Sequence, residues 1–309
     1  MSGIPRQKKA VIDIGTTSIK LCIALTSNDP DGYFVIYDDM EITSLGKGLL
    51  ENKELEALPS EHSINTIQRF VAKAHEFSVD EIRAVGTAAL RKAANAYDFC
   101  SRIYDTCGIN VEILQGEREA QLSHSAAILY ACGQDCLIFD IGGGSTEFVY
   151  TNNNEVIIRT SLNFGVLYIH EKHFLHEHIK DDSIRNSSIE VANNLHECGL
   201  IVPESDFKLI GIGGTITTMA SIKLELSEYL PNKVNGTVLK MDDIESQIYR
   251  FQNLTPEERS KILGLHADRA DIILAGACIV RAVMNYFHMT SVIVSTNGVR
   301  HAVLAEMFK

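Results

Sequence analysis

Proline and cysteine are sparse in this chain, and neither is arranged. Its 309 residues include only 6 Pro. No low-complexity tract or long block of like charge occurs, which excludes extensive disorder. The seven cysteines, at positions 22, 100, 107, 132, 136, 198 and 278, are odd in number and follow no framework. That argues against a secreted disulfide scaffold. Cys132 and Cys136 have no second pair behind them, which disfavours a zinc site there. No apolar run approaches the roughly 18 residues of a membrane span. The basic segment Met1–Ala10 lacks the apolar stretch of a signal peptide, and Asp13 and Lys20 interrupt the apolar residues that follow it. The expectation is a cytoplasmic protein with no membrane partner. Positive charge is also in deficit: 28 Lys and Arg stand against 40 Asp and Glu, for a net charge of −12. This argues against a nucleic-acid partner. A polyanionic ligand would have to be held by local amides, a metal and a few arginines. Oligomeric state is open, a homodimer included.

What is present is an ordinary globular composition, 45% hydrophobic and 22% charged. At this length two domains are the natural reading, divided at 1–121 and 122–309, with a closing helix at 299–309 that could pack back on the first. Strand patterns cover Lys9–Ile14, Ser18–Leu25 and Tyr33–Thr43, with a turn signal at Asn28-Asp29-Pro30-Asp31-Gly32 between the last two. Helical spacing covers Lys53–Glu76, then a strand Ile82–Val85, helix signals through Cys107, a strand Val111–Leu114 and a helix Gly116–Ala131. At Cys136 the pattern restarts with strands Cys136–Ile141, Thr146–Tyr150 and Val156–Leu162. Helices Val166–Leu175 and Ser183–Cys198, a strand Phe207–Ile212 and a helix Thr215–Leu226 follow. The remaining expected elements are helices Met241–Gln252, Arg269–Phe287 and Val299–Phe308, with a strand at Val292–Val294. The restart is a weak internal repeat. Val11-Ile12-Asp13-Ile14-Gly15-Thr16-Thr17-Ser18 parallels Ile138-Phe139-Asp140-Ile141-Gly142-Gly143-Gly144-Ser145. Duplicated halves of this kind set two similar hairpin turns facing one another across a cleft. The class is α/β, with a mixed sheet in each domain.

The chemistry concentrates in the glycine-rich turns. Gly142, Gly143 and Gly144 allow unusual backbone angles and close approach of an anion, and successive amides can form an anion nest. The hydroxyls of Ser145 and Thr146 could add donors. Asp140 just before this turn and Glu147 just after it could reach a divalent cation such as magnesium. The bland reading is a tight hairpin, but three glycines exceed what a hairpin needs. Gly15, Thr16, Thr17 and Ser18 form the equivalent first turn, and Asp13 stands where Asp140 stands in the second. A third turn, Gly213-Gly214-Thr215, lies between a strand and a helix, where amides and a helix N-terminus suit an anion. Glu117 and Glu119 open a helix after a strand. Either could project a carboxylate toward the cleft, or simply favour the helix N-terminus. Arg91 could bind phosphate or be a solvated arginine. His170, His173, His176 and His178 read as a solvated helix face sooner than as a metal site.

Taken in order, these segments resemble the exopolyphosphatase / guanosine pentaphosphate phosphatase family. The motifs are Asp13–Ser18, Gly86–Arg91 with Asn95, Gly116–Ala120, Asp140–Glu147, Ser161–Val166, Gly211–Thr218, Arg269–Ala277 and Gly298–Arg300. Asp140–Glu147 is the most specific. The resemblance implies a two-domain actin-like ATPase (ribonuclease H-like) fold and hydrolysis of a terminal phosphoanhydride. It places the catalytic glutamate on Glu119, the conserved arginine on Arg91, and metal-associated carboxylates on Asp140 and Glu147, with Asp13 as a further candidate. Three departures stand out: Arg118 replaces the first Glu of a Glu-Glu pair, Asn235 stands where many members have His, and His301 where Glu is usual. Arg118 is expected to add positive charge beside the cleft.

The resulting expectation is an exopolyphosphatase that releases terminal orthophosphate by metal-assisted water attack, with magnesium or another divalent cation. Short chains are favoured, because a net charge of −12 repels a long polyanion and the C-terminal region of the larger members is not in this sequence. Guanosine pentaphosphate is the alternative substrate. A kinase of the same fold and a non-catalytic nucleotide-binding scaffold are the rivals.

Overall fold

The computed structural model describes residues 6–27, 32–128, 134–153, 155–175, 179–200 and 206–309. Residues 28–31 of the expected turn, Cys132, His176, His178 and the last residues of the helix expected through Ala131 lie outside them. The chain divides into two units, Met1–Leu122 with Val299–Lys309, and Ser123–Gly298.

The first unit opens with β1 (Lys8–Ile14), β2 (Ser18–Thr26) and β3 (Tyr33–Ile42). Next come α1 (Leu49–Asn52), α2 (Ala57–Glu76), β4 (Glu81–Gly86), α3 (Ala88–Lys92), α4 (Ala96–Cys107), β5 (Val111–Ile113) and α5 (Gly116–Ala127), the last containing the division point. The sheet order is β3-β2-β1-β4-β5. The first three strands are an antiparallel meander, and β4 and β5 run parallel to β1. Position in the sheet explains the sequence pattern. Central β1 is buried without a break from Ala10 to Ile14, whereas edge β3 leaves Phe34, Val35, Asp38 and Asp39 exposed. On α2, Ile64, Ile67, Phe70, Val71 and Ala74 are buried at helical spacing and form one core-facing stripe.

The second unit contains β6 (Cys136–Ile141), β7 (Thr146–Asn152), β8 (Glu155–Leu162), α6 (Val166–His173), α7 (Asp181–Glu197), β9 (Lys208–Ile212) and α8 (Gly214–Lys223). It continues through α9 (Pro231–Val234), β10 (Val238–Lys240), α10 (Met241–Gln252), α11 (Pro256–Arg259), α12 (Ile273–Tyr286) and β11 (Ser291–Val294). Its sheet order is β10-β11-β9-β6-β7-β8. Here β6, β7 and β8 repeat the antiparallel meander, and β9 and β11 extend it in parallel. The internal repeat is therefore topological: β1 and β6 occupy the same place in the two sheets. Helix α12 is apolar nearly all round and buried from Ile273 to Met284 except at Arg281, as a central core helix should be. The chain closes with α13 (Val299–Met307), which belongs to the first unit and packs on β1 and β2.

Several expected helices are shorter in the structure, for local reasons. The helix expected from Lys53 starts at Ala57, because Lys53 adopts a left-handed φ of 59° that ends α1. The run from Thr87 to Cys107 breaks between α3 and α4, where Ala93 is extended. Asn95, after the break, accepts from the Leu55 amide (2.8 Å) and donates to the Leu55 carbonyl (3.0 Å), so its side chain braces backbone. The helix expected from Arg269 begins at Ile273, after a one-turn 3-10 segment at Ala267–Arg269. Helices α9 and α11 and strand β10 were not anticipated; each is only three or four residues long and has no periodicity to read.

Candidate active site

The two repeated hairpin turns are built alike. The Gly15 amide donates to the Ser18 carbonyl (3.0 Å), and the Gly142 amide donates to the Ser145 carbonyl (3.0 Å). A Cβ on Gly15 would lie 2.8 Å from the Ser18 oxygen, so this position needs glycine. Both amides are thus committed to the hairpin, which removes Gly15 and Gly142 as amide donors to an anion.

In the first unit, Thr16, Thr17 and Ser18 are buried. The Thr16 carbonyl accepts from Gly46 (2.9 Å), and the Thr17 carbonyl from Thr43 (3.0 Å) and Ser44 (2.9 Å). The hydroxyls of Thr17 and Thr43 are buried without a hydrogen-bond partner among the described residues. Orphaned hydroxyls of this kind are uncommon and suit a polar ligand. Asp13 at the end of β1 is held by Lys20, its directly opposed residue on β2, at 2.9 Å. The lysine offsets the charge of this carboxylate.

Arg91 at the end of α3 and Glu119 in the first turn of α5 come together. Arg91 Nη1 donates to Glu119 Oε2 at 2.9 Å and to the Leu114 carbonyl at 2.7 Å. Glu119 is only 7% exposed. The solvated reading of Arg91 is therefore set aside. Arg118 also differs from expectation. It pairs with Glu306 of α13 and donates to Gln121 Oε1, so its charge is matched by a neighbour.

In the second unit, α6 rests on the glycine turn. Its first amides, of Val166 and Leu167, donate to the carbonyls of Gly142 (3.0 Å) and Gly143 (2.9 Å). A Cβ on Gly165 would come within 2.5 Å of the Gly143 backbone, so the helix approaches this closely only because residue 165 is glycine. The two flanking carboxylates are gripped by hydroxyls. Ser123 donates to Asp140 Oδ2 (2.7 Å), and Ser145 (2.8 Å) and Ser161 (2.7 Å) both donate to Glu147 Oε1. Such donors fix the orientation of a carboxylate without cancelling its charge. The hydroxyls expected to face a ligand are used internally: Ser145 on Glu147, and fully buried Thr146 on the Phe164 carbonyl at 2.8 Å. Ser123 and Ser161 were not anticipated as site residues. Ser161 lay within a recognised motif, but no signal in the sequence indicated its partner.

The third turn packs against the second. Gly213 has φ +103°, and a Cβ there would lie 2.5 Å from the Ile141 carbonyl and 3.1 Å from Asp140 Oδ1. A Cβ on Gly214 would meet the Arg269 guanidinium at 2.3 Å, so the arginine lies flat against the first residue of α8. Burial pushes this guanidinium down to about 10, against the opposing influence of Tyr229 and Asp268. Arg269 was not anticipated beside this turn; only its place at the head of a motif marked it in the sequence. Thr215 is buried against Gly276. Of the histidine patch, His173 does not sit on a solvated face: its Nε2 lies 2.6 Å from Glu190, which Lys172 and Tyr168 also engage.

An antiparallel three-strand meander extended by parallel strands, present twice and each copy carrying a phosphate-type hairpin turn, defines the actin-like ATPase (ribonuclease H-like) fold. Within that fold the chain belongs to the Ppx/GppA phosphatase family, whose sequence profile matches residues 25–309. It is 31% identical over 302 residues to the bifunctional 3-dehydroquinate synthase/phosphatase of Fusobacterium nucleatum, covering 94% of this chain and 45% of that protein. It is 26% identical to the guanosine-5'-triphosphate,3'-diphosphate pyrophosphatase of Photobacterium profundum, covering 85% of this chain and 52% of that one. The chain thus spans about half the length of these relatives. Among solved structures it resembles the Ppx/GppA family member of Aquifex aeolicus (30% identity, 98% of both chains, TM-score 0.79). It also resembles an exopolyphosphatase of Cytophaga hutchinsonii (26% identity, 98% of both chains, TM-score 0.86). No helix among the described residues is long and apolar enough to cross a membrane.

Proposed function

We propose that the chain is an exopolyphosphatase that removes the terminal orthophosphate of inorganic polyphosphate by water attack. The observation that carries this reading is the buried Arg91–Glu119 pair. A glutamate that is 7% exposed and held by a guanidinium is fixed in direction, as a base orienting water must be. Glu119 takes the proton of the attacking water through a carboxylate oxygen. Arg91, already in contact with it, is placed to share its remaining donors with the equatorial phosphoryl oxygens as charge develops there. The orphaned Thr17 and Thr43 hydroxyls of the first unit are further donors for phosphate oxygens.

Asp140 and Glu147 fit a hard divalent cation. Both are carboxylates that accept from serine hydroxyls, and carboxylate oxygens are the ligands that such a cation takes. Magnesium bound there would neutralise phosphate charge. Guanosine pentaphosphate is the alternative substrate, favoured by the similarity to the Photobacterium enzyme. The net charge of −12 supports a preference for short chains. The deciding experiment measures phosphate release from polyphosphates of graded length, guanosine pentaphosphate and ATP, with and without a phosphoryl acceptor. Release from polyphosphate without an acceptor is the expected result; acceptor-dependent transfer from ATP would replace this reading with a kinase.

A further inference from the structure

We propose, resting on the reading of the second glycine turn as a phosphate site, that Glu190 is a positioning residue for that turn and acts on it through helix α6. Helix and turn meet through backbone. The amides of Val166 and Leu167 donate to the carbonyls of Gly142 (3.0 Å) and Gly143 (2.9 Å). In a trans peptide the carbonyl and the N–H that follows it point in opposite directions. Carbonyls turned toward α6 therefore aim the amides of Gly143 and Gly144 away from the helix. The Gly142 amide closes the hairpin on the Ser145 carbonyl, so the Gly143 amide is the first that can serve an anion.

The helix also places positive potential behind the turn. Its N-terminus carries the positive end of the helix dipole. A carbonyl that accepts a hydrogen bond polarises its own peptide, which makes the N–H a stronger donor. In a chain of net charge −12 this is a local source of attraction for an anion.

Helix α6 needs outside support to keep this seat. It has eight residues, too few for a stable helix in isolation, and of these Val166, Leu167 and Ile169 are the buried ones. Glu190 on α7 supplies the hold. Tyr168 and Lys172 each donate to its Oε1 at 2.6 Å, and His173 Nε2 lies 2.6 Å from its Oε2. The three partners are spaced i, i+4 and i+5, so one carboxylate grips the helix over more than a full turn. The Glu190 side chain is only 15% exposed, so water competes weakly for these bonds. Two backbone hydrogen bonds and one short helix thus join Glu190 to the peptides that present the Gly143 and Gly144 amides.

The test uses the full chain and reads the helix and the turn separately. Amide hydrogen exchange at Val166 and Leu167 reports the bonds between them. Affinity for methylenediphosphonate with magnesium, an uncleavable stand-in for a terminal phosphoanhydride, reports the turn. Glu190→Gln should speed exchange at both amides and weaken binding roughly 3- to 30-fold. Tyr168→Phe, which leaves Lys172 and His173 on Glu190, should do both to a smaller degree. Asp243→Asn is the control for lost stability: Asp243, on α10, accepts from Lys223 (2.7 Å) and from the Lys240 amide (2.8 Å), and its loss should change neither readout. Melting curves show which variants fold; if Glu190→Gln does not, Tyr168→Phe carries the comparison. Unchanged exchange in the folded variants overturns the proposal. Faster exchange with unaltered affinity overturns it too, as does a control that weakens binding equally. If the unaltered protein binds no methylenediphosphonate, the phosphate-site reading falls and the proposal with it; equal binding by the unaltered protein and Glu190→Gln sinks the proposal alone.

Discussion

Arg91 and Glu119 lie 28 positions apart in sequence, yet Arg91 Nη1 is 2.9 Å from Glu119 Oε2 and the same nitrogen holds the Leu114 carbonyl. The arginine bridges the end of α3, the end of β5 and the first turn of α5 through one guanidinium. If Glu119 is the base, Glu119→Gln keeps the shape and removes proton acceptance. Turnover should fall by roughly 10²–10⁴ with little change in substrate affinity. Phosphate release under saturating and limiting substrate separates the two effects, and near-normal turnover would remove Glu119 from the mechanism.

Arg91→Lys tests the other partner. Lysine keeps the charge but not the planar fork, and cannot satisfy Glu119, the Leu114 carbonyl and a phosphoryl oxygen together. Turnover should drop while the protein remains folded. A variant with unchanged turnover would show that the pair is only structural.

Most of the fold was legible because its determinants are local. Ala10-Val11-Ile12 and Leu137-Ile138-Phe139 read as buried strands, and the residues between β1 and β2 or β6 and β7 read as turns, from side-chain type alone. The pairing of Arg91 with Glu119 was not legible from spacing, since nothing along the chain says that α3 and α5 meet. The family motif named both residues but not their contact. Ser123 and Ser161 were invisible for the same reason: a serine acquires a role only through its partner, and Asp140 and Glu147 lie 17 and 14 residues away. The pairing of Arg118 with Glu306 was equally hidden, because the two are 188 residues apart.

The serines give a test of the metal assignment that does not depend on turnover. Ser161→Ala removes one of the two donors on Glu147 Oε1 and loosens that carboxylate, whereas Ser161→Thr keeps a hydroxyl. Manganese(II) binding, followed by electron paramagnetic resonance as a stand-in for magnesium, should weaken about 10-fold or more in the alanine variant and largely recover with threonine. Chelation should abolish phosphate release, and added magnesium should restore it. Asp140→Asn with unchanged manganese affinity would show that these carboxylates hold no ion.

Gly165 fixes the seat of α6 on the glycine turn. Gly165→Ala places a methyl group within 2.5 Å of the Gly143 backbone, which must shift. A cost of about 1–3 kcal/mol is expected, with lost activity because the turn itself is displaced. Gly298→Ala, whose nearest contact would be 3.5 Å from Ile212, is the control and should be nearly neutral. Chemical denaturation of both variants checks the difference; equal stability would mean that α6 adjusts freely.

Glu190 on α7 carries the last prediction, about pH. Burial alone would raise its carboxyl, but hydrogen bonds from Lys172, Tyr168 and His173 outweigh burial and lower it from its usual range. A carboxylate whose folded value is depressed binds fewer protons folded than unfolded at mildly acid pH. Its contribution is therefore complete above the unfolded value near 4.5 and is lost as pH falls through the lower, folded one. Glu190→Gln cannot titrate and breaks the charged bonds to Lys172 and His173. It should cost about 1–3 kcal/mol at neutral pH and much less below the folded value, where the native carboxyl is itself protonated. Urea denaturation of both proteins across this range is the measurement. A stability difference that stays constant with pH would show that the cluster acts through packing and not through the charge on Glu190.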